Sequence, residues 1–191
     1  MLKQAANSGA VSLKGSAEVL VDYFFYAVNS ILYQRGVYPE ASFKKDVQYE
    51  LSVLVAADEG LIKYLSTILA QIKEWIMAGA LQKLVLVIKC VKTEEVLERW
   101  QFNIVCETPD TSGEKTTKKS LNEIQEGIRN VIRQIVSINT ILPVLSNSCT
   151  FIWSQNLTLK STQFRSTDVF VWTRGVGAWF RMLSRSTNFL I

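Results

Sequence analysis

Apolar residues recur at three- and four-residue intervals from about Ser16 to Gln34, where Leu20, Phe24, Val28, Ile31 and Leu32 share one face. That spacing predicts a helix. Ser12 or Ser16 can cap its start, and Gly36 followed by Pro39 supplies a left-handed stop and a breaker. Tyr49, Leu51, Val53 and Val55 then alternate with Glu50, Ser52 and Leu54, so strand or hairpin structure is expected over Phe43 to Val55. A second helix is predicted from Asp58, as its cap, through Leu61, Leu65, Ile68, Ile72, Trp75 and Ile76 to a stop near Gly79. The run LVLVIKCV at 84–91 is almost unbroken and rich in branched side chains, the pattern of a central strand covered on both faces.

After a polar turn at Lys92 to Glu95, Val96, Glu98, Trp100, Phe102, Ile104 and Cys106 alternate with Leu97, Arg99, Gln101 and Asn103, which completes a hairpin. Residues 107–119 are polar and read as a surface loop. Ser120 and Glu123 form a capping box, and Ile124, Ile128, Val131, Ile135 and Leu142 give a third helix its buried stripe, with Pro143 as its stop. Arg129, Arg133 and Gln134 fall on its outer side. NSCTFIW at 147–153 reads as one more strand. The expected class is α+β, with three helices packed on a mainly antiparallel sheet.

The 191 residues fit one domain with its own core. The net charge of +4 is confined to the end of the chain: Lys160, Arg165, Arg174, Arg181 and Arg185 stand against Asp168 after residue 153, and the preceding part is balanced. The body therefore has no electrostatic preference for nucleic acid. No stretch is long and apolar enough for a signal peptide or a membrane span, which predicts an intracellular protein. Cys90, Cys106 and Cys149 are odd in number and far apart, so their spacing suggests neither a disulfide framework nor a zinc site.

With no histidine in the chain, imidazole-based metal sites, general bases and nucleophile activation are unavailable. Gly113-Glu114-Lys115-Thr116 matches only the end of a phosphate loop, and Glu94 and Glu95 sit in a solvated turn. Neither a catalytic site nor a cofactor site is predicted. The aromatic residues and apolar strands that remain read first as core, so the residues by themselves give only a soluble α+β domain.

The strings NSILYQRGVYP (29–39) and EVLERWQF (95–102) resemble the mitotic-arrest-deficient spindle checkpoint proteins of the HORMA-domain family, as do LQKLVLVI (81–88) and IRNVIRQI (128–135). The resemblance extends from residue 12 to about 151. It implies a HORMA-like fold with a mobile carboxy-terminal segment, the safety belt, which swaps sheet edges and traps an extended partner peptide paired as a strand. The implied partners are a checkpoint scaffold, the activator of the anaphase-promoting complex, a second copy of the chain in the other conformer, and an AAA+ remodelling ATPase with its adaptor. The implied locations are nucleus, kinetochore and cytoplasm. By the same resemblance Arg133 and Gln134 serve dimerisation, and Cys149, Thr150, Phe151, Ile152 and Trp153 form the peptide-binding edge strand.

The chain divides on this reading into a core at 1–153 and a divergent belt region at 154–191. That region has no glutamate and lacks the family's proline–tryptophan stretch, which points to a shifted reading frame or an alternative exon end. Short strands remain possible at Val169 to Trp172 and Val176 to Leu183. Other readings are a latch-defective form that only dimerises, a HORMA adaptor of the translesion-polymerase or meiotic-axis type, and a nucleic-acid- or membrane-binding tail.

Overall fold

A computed structural model describes residues 13–104, 121–157, 169–173 and 178–182. Three helices, α1 (Leu13–Gln34), α2 (Glu59–Met77) and α3 (Leu121–Ile138), pack with two antiparallel sheets. The first sheet is the hairpin of β1 (Phe43–Gln48) and β2 (Leu51–Ala56). The second contains β3 (Leu81–Cys90), β4 (Val96–Asn103), β5 (Cys149–Leu157), β6 (Val169–Thr173) and β7 (Ala178–Met182) in the order β5-β3-β4-β6-β7.

The central element is α1. Its residues Ala17, Leu20, Tyr23, Phe24, Ala27, Val28, Ile31 and Leu32 are all buried, a stripe wider than a surface helix needs, because α2, α3 and β2 all pack against it. Its described part begins at Leu13, so Ser16, one of the two expected caps, lies inside the helix, and Ser12, the other, lies outside the described residues. The helix ends as predicted: Gly36, with φ +60°, lets its own N–H reach the Tyr33 carbonyl while Val37 N–H reaches Leu32. The same double bond closes α2, where Gly79 has φ +63° and Gly79 and Ala80 donate to Ile76 and Trp75. At the start of α2, Asp58 Oδ1 accepts from Leu61 N–H at 2.8 Å, the cap expected from sequence.

Within the 43–56 hairpin, Tyr49 and Glu50 both take positive φ, the left-handed pair a two-residue hairpin loop requires. Asn29 ties this hairpin to α1. Its side chain donates to the Phe25 carbonyl at 2.8 Å and accepts from Ala56 N–H at 2.7 Å, so a fully buried amide is satisfied on both sides.

Residues 84–90 of the 84–91 run lie within β3, with β4 on one side and β5 on the other, while Val91 falls in the turn beyond the strand and is half-exposed. The strand is central, as expected. Leu84, Leu86 and Ile88 from β3 and Trp100 and Phe102 from β4 form the sheet's side of the core, and Phe24 meets Phe102 edge-on at 5.5 Å.

Two expectations change. The third helix stops at Ile138 instead of running to Pro143, because Asn139 to Leu142 form a turn in which Ile141 and Leu142 N–H both reach the Ile138 carbonyl. Leu142 is buried from this turn rather than from a helical stripe. The last core strand reaches Leu157, four residues beyond the expected end at Trp153. The tail strands do form and pair: β6 lies against β4, with Trp100 opposite Val171, and β7 lies against β6. Ser120, Cys106 and the 107–119 loop fall outside the described residues. No helix among those described is long and apolar enough to cross a membrane.

Two substitutions test the packing. Ile128→Ala on the buried stripe of α3 should cost about 2–5 kcal/mol, and Asp58→Ala at the α2 cap about 1 kcal/mol, both measured as changes in urea unfolding free energy.

Candidate functional site

A five-stranded open sheet has two edges, and in this chain they differ. The β6–β7 hairpin covers the β4 side, while β5, on the far side of β3, has no strand along its outer edge among the described residues. The polar groups that point outward from β5 can be assigned from the pairing. Val91 N–H donates to the Ser148 carbonyl at 2.9 Å, which makes the adjacent Cys90–Cys149 pair one without mutual hydrogen bonds. The register is continuous from there to Leu84–Gln155. Cys149, Phe151, Trp153 and Gln155 therefore aim their backbone N–H and C=O groups outward, whereas Thr150 and Ile152 are bonded to β3. Such a row of unpaired backbone groups is a template for an added strand.

Side chains alternate about that row. Phe151 is buried against the aromatic rings of Tyr38 and Tyr64, at centroid distances of 6.1 and 5.5 Å and steep interplanar angles. Tyr64 is itself 42% exposed, so the pair forms an apolar shelf reaching the surface beside the edge. Burial raises the pKa of both tyrosine hydroxyls, which stay protonated donors at neutral pH. Ile152 projects from the opposite face and is 42% exposed. Trp153 is half-buried, and its enclosed indole N–H has no hydrogen-bond partner among the described residues.

The five residues expected to form this edge are thus all on one edge strand, but they do not act alike. Phe151 belongs to the core, and the accessible contributions are the outward backbone of Cys149, Phe151 and Trp153 with the Ile152 side chain. Sequence reasoning missed Ser154 to Leu157, which continue the same strand.

A buried charge cluster holds the lower layers in place. Arg35 at the end of α1 and Glu98 in β4 are 7% and 0% exposed. Arg35 Nε donates to both carboxylate oxygens at 2.9 and 3.0 Å, and Nη2 donates to Oε1 at 2.5 Å. Nη1 donates to Asn139 Oδ1 at 2.6 Å and Nη2 also donates to the Pro143 carbonyl at 2.5 Å, while Trp100 Nε1 donates to Glu98 Oε2 at 3.1 Å. One fork of donors therefore joins α1, β4 and the connection that leads from α3 into β5. Sequence gave a partial signal: Glu98 stands in the apolar phase of its strand between Val96 and Trp100, where a carboxylate needs a partner.

Arg133 and Gln134 lie elsewhere. Arg133 is exposed on α3 and Gln134 half-buried. Arg133 borders a surface cleft of about 410 Å³ lined also by Tyr33, Gln34, Leu51, Leu54, Ile132 and Val136. The neighbouring Arg129 pairs with Glu50 at 2.7 Å across to the β1–β2 turn. This face is separate from β5.

Residues 16–158 match the HORMA domain model. The spindle assembly checkpoint proteins MAD2A of Homo sapiens and Mus musculus are each 44% identical to the chain over 151 residues, covering 79% of it and 74% of their own lengths. The MAD2 checkpoint component of Saccharomyces cerevisiae is 41% identical over 139 residues, 73% of this chain and 70% of that one. Among solved structures, a chain of the mitotic checkpoint complex superposes with a TM-score of 0.67 at 38% identity, covering 78% of each. Caenorhabditis elegans HTP-2 bound to a HIM-3 closure motif gives 0.65 at 15% identity, over 83% of this chain and 76% of that one, a likeness of fold alone. The chain belongs to the HORMA-domain family, and within that family to the MAD2 spindle checkpoint proteins.

Removing one partner of the buried cluster should be far more damaging than replacing both. Glu98→Ala, which strands Arg35, is expected to lower stability by about 3–5 kcal/mol, and an Arg35→Met, Glu98→Leu double variant to recover most of that loss, both read by urea unfolding.

Proposed function

We propose that this chain is a spindle assembly checkpoint adaptor that takes an extended partner peptide as an added strand along β5 and, by holding the activator of the anaphase-promoting complex, delays anaphase. The observation that carries the reading is the contrast between the two sheet edges: the tail hairpin lies on the β4 side, leaving the outward backbone of β5 free among the described residues. Strand addition needs such an edge, because main-chain hydrogen bonds supply affinity and alternating side chains supply selection. Ile152 on one face, and the Tyr64–Phe151 shelf on the other, offer apolar contacts at alternate positions.

The tail takes the part of the safety belt in this reading. The boundary at residue 154 between core (1–153) and belt region (154–191) falls inside β5, so the belt begins as the continuation of the peptide-binding strand. Releasing the hairpin from β4, so that the belt can close over a peptide held on β5, would break the whole β4–β6 ladder, with backbone ordering of roughly 1–2 kcal/mol per residue at stake. Slow, assisted conversion follows, which is the role expected of the AAA+ ATPase and its adaptor. Capture and release require no catalytic step by the chain itself.

Peptide motifs of the checkpoint scaffold and of the complex's activator are the proposed ligands, and the Arg133–Gln134 face the proposed contact between open and closed copies. The cleft beside Arg133 supports that assignment, since an exposed arginine over a mixed apolar and polar hollow suits a protein surface. Action at the kinetochore, in the nucleus and in the cytoplasm belongs to the same proposal. The translesion-polymerase alternative has weaker support: DNA polymerase zeta subunit 2 of Drosophila melanogaster is 29% identical over 136 residues.

A labelled peptide carrying the scaffold's interaction motif tests the edge. Gln155→Pro deletes an outward N–H without removing a bond to β3, and should weaken binding about threefold to tenfold, the worth of one backbone hydrogen bond. Unchanged affinity would place the peptide elsewhere. Independently, Arg133→Glu should abolish self-association in analytical ultracentrifugation while leaving peptide affinity within about twofold, since the two faces are separate.

A further inference from the structure

We infer that Cys90 and Cys149 form a reversible disulfide site that staples the edge strand β5 to the central strand β3. The two residues are 59 positions apart in sequence yet lie directly opposite each other where β3 and β5 meet. Both are free thiols, Cys90 buried and Cys149 half-exposed. Wide spacing along the chain hid the pair, because antiparallel register brings together residues that no local pattern relates.

The pairing site has the geometry a bridge needs. Cys90 directs its own N–H and C=O toward the β4 side, where it accepts from Glu94 N–H at 3.0 Å and donates to Glu95 at 2.9 Å. Val91, the next residue, donates to Ser148. Both facts place Cys90 and Cys149 in a pair without mutual hydrogen bonds, whose Cα atoms approach to about 4.5 Å with side chains close together. That separation is within the range disulfides span, about 4.4–6.8 Å. The two side chains also project to the same face, in line with the core pair Ile88 and Phe151 two positions along. In the reduced state Cys149 Sγ donates to the Asn147 carbonyl at 3.0 Å, one weak bond to give up on closure.

The chemistry balances with a low-molecular-weight disulfide such as glutathione disulfide. The more accessible Cys149, as thiolate, attacks one sulfur of that disulfide, leaving a mixed disulfide and releasing one glutathione. The Cys90 thiolate then attacks the Cys149 sulfur, forms the intramolecular bond and releases the second glutathione. The two cysteines lose two electrons, the glutathione disulfide gains them, and the two thiol protons end on the released glutathiones. Hydrogen bonds from Thr93 hold the Cys90 thiol below its ordinary pKa, which favours its thiolate as the second attacker, while burial pushes Cys149 up and slows the first step. The staple secures the end of β5 where the chain enters the sheet from the α3 connection.

The test uses the full chain carrying Cys106→Ser, so that only the two opposed cysteines remain, incubated with glutathione disulfide. Expected are the loss of both free thiols, a mass lower by two hydrogens with no glutathione attached, and a linked Cys90–Cys149 peptide in the digest. The melting temperature should rise by at least about 4 °C, as closing so long a loop constrains the unfolded chain, and dithiothreitol should reverse it. Cys90→Ser in the same background should stop at one glutathione on Cys149. A Cys106→Ser chain that also stops at a single glutathione adduct, or that links only between molecules, overturns the inference.

Discussion

One buried guanidinium sets the frame of this molecule. Arg35 stands where α1 ends, and its donors are divided among the Glu98 carboxylate of β4, the Asn139 side chain and the Pro143 carbonyl. Glu98 belongs to the sheet, and Asn139 and Pro143 to the connection from α3 into β5, so the helix that fills the core, the sheet, and the segment entering β5 are fixed relative to one another through a single residue. Such a cluster adds little net stability over an apolar substitute, since removing two charges from water offsets most of their attraction. Its effect is on arrangement: a planar fork with directed donors accepts only one placement of the Asn139–Pro143 turn. The early end of α3 at Ile138 follows, because Asn139 is drawn out of the helical path toward Arg35.

From that frame the two sheet edges acquire different roles. β4 is tied down by Glu98 and Trp100 and carries the tail hairpin on its outer side. β5, entered through the turn that Arg35 holds, presents an alternating row of outward amides and carbonyls. An exposed edge is a hazard for aggregation unless it is short, charged or reserved for a partner. Here it is nine residues long and has no charged side chain, with Tyr64 and Ile152 flanking it. That composition agrees with an edge kept for capture. It also accounts for the placement of Cys90 and Cys149, which anchor the start of the strand whose other edge is unpaired.

Much of the fold was legible from periodicity. The apolar stripes of Leu20 to Leu32 and Leu61 to Ile76, the Gly36 and Gly79 stops and the Asp58 cap are local signals, and the structure repeats them. Sheet order was not legible: alternation in NSCTFIW marks a strand but carries no information on its neighbours, which depend on contacts far apart in sequence. The opposed cysteines were invisible for the same reason. Glu98 was half-legible, a carboxylate in an apolar phase, but nothing local identified Arg35 as its partner. Arg133, Gln134 and the edge residues entered through family resemblance alone, since an exposed helix arginine has no pattern that separates a contact from a solvated side chain. The divergent tail, which departs from the family's belt, nonetheless contains two short apolar runs, and these are the segments that pair as β6 and β7.

The central claim is that β5 receives a partner as an added strand, and amide hydrogen exchange at single-residue resolution tests it most directly. Addition of the scaffold-motif peptide should slow exchange by at least about tenfold at Phe151, Trp153 and Gln155, whose N–H groups point outward, since one hydrogen bond of about 1.4 kcal/mol is a factor of ten. Thr150 and Ile152, already bonded to β3, should change far less. Protection confined to α3 around Arg133, with the outward amides of β5 exchanging as before, would contradict the account.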